Sequence, residues 1–73
     1  MSEHNHFKNP AEIMLALTEE IGEVAQEVAL LERIGSKANW VKVGDRERLH
    51  TEISHAMNCL QALAEFYDLE RLQ

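Results

Sequence analysis

Asn9-Pro10-Ala11-Glu12-Ile13-Met14-Leu15-Ala16-Leu17-Thr18-Glu19-Glu20-Ile21-Gly22-Glu23-Val24-Ala25-Gln26-Glu27-Val28-Ala29-Leu30-Leu31 is a long helix written out with its start signal and an acidic edge. Asn9 suits the N-cap, Pro10 the first helical position, and Glu12 the place where a capping box closes. Met14, Leu17, Ile21, Val24, Val28 and Leu31 recur at alternating spacings of three and four, a heptad-like apolar seam. Gly35 is the expected left-handed stop, so the helix is predicted over about 10 to 34.

Working outward, residues 35 to 45 lose the helical period and carry two glycines, which predicts a loop with Asp45 as the next N-cap. Val41 and Val43 are too few to argue strongly for a short strand there. The second helix is predicted from about Arg46 to Phe66 or Tyr67, with Leu49, Ile53, Ala56, Leu60, Leu63 and Tyr67 on its apolar stripe. Stepping 100° per residue puts Ala16, Glu20, Glu23, Glu27 and Ile34 on a strip bordering the first seam, with Glu20 inside the apolar arc. Arg48, Glu52, His55, Cys59 and Phe66 form the matching strip on the second helix. The expected fold is therefore all-α: an antiparallel two-helix hairpin whose polar strips face each other at mid-helix. Seam and strip together are wider than one partner helix covers. A dimer forming a four-helix bundle is expected, with a tetramer next. Residues 1–8 read as a flexible tail and 9–73 as a single domain.

At 73 residues the chain is near the size at which one core becomes marginal and oligomers or metals help. The single Cys59 excludes an intramolecular disulfide and any CxxC metal site, which fits a reducing compartment. There is no apolar run of about 18 residues and no signal-peptide hydrophobic region at the start, so a soluble, cytoplasmic protein is expected. A net charge of −6 argues against a nucleic-acid binder, whose affinity comes from lysine and arginine contacts to phosphates. It does not argue against a free nucleotide carried in with its magnesium.

Acids on a helical strip are ordinarily solvated surface groups. Here Glu20-x-x-Glu23 and Glu52-x-x-His55 each place both members on one helical face, bordering apolar positions. Burying carboxylates together without a cation is costly. A bound hard cation such as magnesium or manganese, which prefers oxygen and retains waters that a phosphate can replace, resolves that cost. His55 adds a softer nitrogen that suits manganese, iron, cobalt or zinc.

The run Leu15 to Glu27, followed by Glu52-Ile53-Ser54-His55-Ala56-Met57-Asn58-Cys59-Leu60-Gln61-Ala62-Leu63-Ala64, resembles the MazG-like, all-α nucleoside triphosphate pyrophosphohydrolases over roughly residues 12 to 70. That family carries an ExxE on one helix and an ExxD on a later one, often with a glycine inside the first pair like Gly22. His55 stands where the family has Asp. The resemblance implies a helical bundle of two or four chains that cleaves a nucleotide between its α and β phosphates, with Mg²⁺ (or Mn²⁺) as cofactor. By position it implies Glu20, Glu23, Glu52 and His55 as metal ligands and Glu19, Glu20 and Glu23 as the catalytic acids. Glu19 or Glu27 would assist in activating water. It places Trp40 near the base, Asn58 near base or sugar, and Lys37, Lys42, Arg46 and Arg48 as the cations available to phosphates. Two other readings stand beside it: a nucleotide- or metal-binding relative without turnover, and a ferritin-like di-metal carboxylate bundle using Glu52-x-x-His55.

Overall fold

The computed structural model describes residues 8–34 and 43–69. Gly35 and the predicted tail up to residue 7 lie outside them. Two helices carry the structure, α1 (Pro10–Glu32) and α2 (Arg46–Phe66), packed against each other, and the described residues contain no strand. Val43 is irregular, and Val41 lies outside the described residues.

Both helix starts are set locally. Asn9 Oδ1 accepts the Glu12 N–H at 2.9 Å with Pro10 following. Asp45 Oδ1 accepts the Glu47 N–H at 2.8 Å and the Arg48 N–H at 3.4 Å. Each cap satisfies amide donors that a first turn leaves without helical partners.

The end of α1 differs from expectation. Arg33 takes the left-handed conformation (φ 57°, ψ 46°), and the Ile34 N–H donates back to Ala29 O at 3.0 Å. This six-to-one bond closes the helix two residues early, although a side chain in that region costs about 1–2 kcal/mol that glycine avoids. Asp68 (φ 53°) repeats the device after α2, where the Leu69 N–H reaches Ala64 O at 2.9 Å.

The helices run antiparallel. His55 meets Glu20 and Arg48 meets Glu27, so seven residues forward on α1 correspond to seven residues back on α2. Ile13 and Leu30 fill the interface from α1, and Ala56, Cys59 and Ala64 line it from α2. The small α2 residues allow a close approach. At the hinge end Gly44 is pressed against Leu31, where an added Cβ would lie 2.6 Å from the Leu31 backbone nitrogen. No larger residue fits there without moving the backbone.

The seam itself is used differently from what the heptad pattern suggests. The hairpin closes on the bordering strips, burying Ile13, Glu27 and Leu30, whereas Met14, Ile21 and Val28 of the seam stay exposed, as do Ile53 and Leu60 on α2. Leu17, Val24, Leu31, Leu49 and Leu63 are half-buried. Periodicity reports the whole apolar arc of a helix, and a single partner helix covers only part of it. The uncovered stripes lie about a quarter turn round from the contact on each helix. Antiparallel rods turn in opposite senses seen from one end, so both stripes emerge on the same side of the hairpin.

Candidate metal centre

Glu20, near the middle of α1, and Glu52 and His55, one turn apart on α2, converge so that one donor atom from each lies within 4.8 Å of the others. His55 Nδ1 is 3.2 Å from Glu20 Oε2 and 3.1 Å from Glu52 Oε1. Both carboxylate side chains are about one-fifth exposed, and His55 is half exposed at 52 %, so the group is open on one side. Ile53 and Met57, two residues either side of His55, project from the opposite face of α2.

The donor set can be tested against an ion. Ligand atoms about 2.0–2.2 Å from one metal stand about 2.8–3.1 Å apart as octahedral neighbours and about 3.3–3.6 Å apart as tetrahedral partners, a window of about 2.8–3.6 Å in all. The two His55 separations fall in that window. Without an ion, one Nδ1 proton faces two carboxylates, and even a charged imidazolium offsets only one of them. A divalent cation offsets both and leaves the exposed side open to water or phosphate oxygen. Two oxygens and a nitrogen suit manganese, cobalt or zinc at least as well as magnesium.

The reach of Glu20 across the interface also appears at Cys59. Its buried thiol is pushed above its ordinary pKa first by desolvation and then by the negative charge of Glu20. Cys59 is thereby held as an unreactive thiol.

Other residues singled out in the sequence are placed elsewhere. Glu19 and Glu23 are exposed and do not belong to the group of three. Asn58 is exposed, three positions beyond His55. Trp40, Lys37 and Lys42 lie outside the described residues. Arg46 is exposed at the start of α2.

Arg48 has a role that its reading as a phosphate cation did not include. Its Nε donates to Glu27 Oε2 at 3.3 Å, its Nη1 to Asp45 Oδ2 at 3.3 Å, and its Nη2 to Val43 O at 2.6 Å. Glu27 is 4 % exposed, the one buried charged residue among those described, and its Oε1 has no hydrogen-bond partner. Leaving a buried acceptor unsatisfied costs about 1–3 kcal/mol. The signal that would have found the pair was available: Glu27 and Arg48 lie on facing strips.

Comparison of the chain with family models, curated proteins and solved structures finds no match. No helix among the described residues is long and apolar enough to cross a membrane.

Proposed function

We propose that the chain is a divalent-metal-dependent nucleoside triphosphate pyrophosphohydrolase of the MazG-like kind, working as a homodimeric or homotetrameric helical bundle. The observation that carries this reading is the meeting of Glu20 with Glu52 and His55, which lie 32 and 35 positions further along the chain: two residues at motif-acid positions and the histidine that stands where the family has Asp. Water is added across the α–β phosphoanhydride, giving the nucleoside monophosphate and pyrophosphate. Glu20, Glu52 and His55 would hold the cation, which when bound would offset phosphate charge and lower the pKa of the attacking water. Glu19 and Glu23, exposed along α1 beside this group, are the acids available to position that water.

The apolar side supports the assembly. Met14, Ile21 and Val28 with Ile53, Met57 and Leu60 are all at least 39 % exposed. The hairpin is a single layer of helices, and stable domains pack two. A second copy laid on this side completes a four-helix bundle and leaves the acidic side open.

The test is pyrophosphate release from a panel of nucleoside triphosphates with Mg²⁺, Mn²⁺ and Co²⁺. Turnover by the wild-type chain, absent in folded Glu52→Ala, supports the reading, and no turnover with any pair counts against it. A metal- or nucleotide-binding relative without turnover is the second reading. It is favoured by the solvent-facing position of Glu23 and by His55 in place of an acid. Calorimetry showing affinity without hydrolysis distinguishes it.

A further inference from the structure

We propose that Glu27 and Arg48 are positioning residues for the metal centre: their ion pair fixes the sliding register of α1 on α2 that brings Glu20 to His55. The pair is the same contact one heptad closer to the hinge, since Glu27 is seven residues after Glu20 and Arg48 seven before His55. An apolar interface of Ile, Leu, Ala and Cys tolerates a slip of one turn, because its stripes repeat at that spacing. A carboxylate inside the interface does not. Any slip carries Glu27 away from the guanidinium and leaves its charge buried alone.

Arg48 is also anchored against movement along the axis. It holds Val43 O and Asp45 Oδ2 as well as Glu27, tying the segment that enters α2 to α1 at a single side chain. Gly44, in the same segment, is packed onto the Leu31 backbone. The pair is ill suited to a purely stabilising role: it is a single Nε contact rather than a two-bond fork, and Glu27 Oε1 has no partner. Buried ionic groups of this kind are best attested as devices that select one register.

The consequence for metal binding rests on the functional reading above, so the test has a metal-free arm. Spin labels are placed at two exposed sites, by Ala11→Cys and His50→Cys in a Cys59→Ala background, and diluted with unlabelled protein. The parent is expected to give one narrow distance. Glu27→Leu/Arg48→Met, which removes the pair without leaving a lone charge, is expected to stay helical yet give a broadened or second distance, as a slip of about 5 Å along the axis requires. In the unlabelled protein the same double substitution is expected to weaken Co²⁺ binding, read by the visible absorption of the ion, at least tenfold. One narrow, unshifted distance in the double variant overturns the proposal whatever Co²⁺ does. Broadened distances with no Co²⁺ bound by the parent keep the register claim and defeat the metal reading. Should the double variant not fold, Glu27→Gln is measured in its place, with broadening again expected and an unchanged distance again overturning the idea.

Discussion

The two polar layers between the helices use the same design and reach opposite outcomes. At Glu27 and Arg48 a carboxylate meets a permanent cation, and the acid is buried, with Val43 and Asp45 occupying the rest of the guanidinium. At Glu20, Glu52 and His55 two carboxylates meet one imidazole, which carries a charge only when protonated, and the group faces solvent. In the first layer the second acid, Asp45, is shared between Arg48 and the α2 amides it caps, so only Glu27 depends on the guanidinium alone, with its Oε1 left without a partner. The second layer has more negative charge than the chain itself offsets, and at this spacing a divalent ion is the simplest group to supply the difference. One heptad of displacement thus separates a structural ion pair from a candidate chemical site.

The largest expected effect comes from removing an acid from the open layer. On the proposed function, Glu20→Ala or Glu52→Ala should lower nucleotide hydrolysis by at least about a thousandfold, roughly 4 kcal/mol of transition-state stabilisation. Thermal unfolding of the metal-free protein should change by no more than about 1 kcal/mol, since each substitution removes one contact to a half-exposed imidazole and also relieves the crowding of two carboxylates. The reverse should hold for the closed layer. Arg48→Ala strands a buried carboxylate and should cost about 2–3 kcal/mol, a fall of 10 °C or more in Tm by differential scanning calorimetry.

Gly44→Ala probes the corner that holds the closed layer in place. Its Cβ would meet the Leu31 backbone at 2.6 Å, and the strain should cost about 1–3 kcal/mol by urea unfolding. His55→Asp sharpens the open layer instead. It exchanges a nitrogen for an oxygen and should move metal preference about tenfold, close to 1.4 kcal/mol, from Co²⁺ or Zn²⁺ towards Mg²⁺, read as a ratio of titrated affinities. The smallest effect is expected at Asn58, exposed and outside both layers: Asn58→Ala should change stability by less than about 0.5 kcal/mol.

What could be read from the sequence followed physical range. The caps at Asn9, Pro10 and Asp45 are local, as one side chain satisfies amides two or three residues away, and they stand as expected. The facing of the two polar strips followed from 100° arithmetic. The choice of contact face did not: the seam of Met14, Ile21 and Val28 and the strip of Glu20 and Glu27 are adjacent arcs, and nothing local states which one the hairpin uses. Arg48 and Glu27 were legible as members of facing strips, but which residues on those strips meet is a matter of axial register, which no local signal states. The stop at Arg33 was illegible because propensity favours glycine at such a position.

The most direct test of the central claim is a calorimetric titration of the metal-free protein with Mn²⁺, beside the same titration of Glu20→Gln/Glu52→Gln/His55→Ala. One Mn²⁺ per chain in the wild type, and none in the folded triple variant over the same concentration range, is the predicted result. Equal Mn²⁺ uptake by both proteins, or none by the wild type up to millimolar ion, would contradict the account.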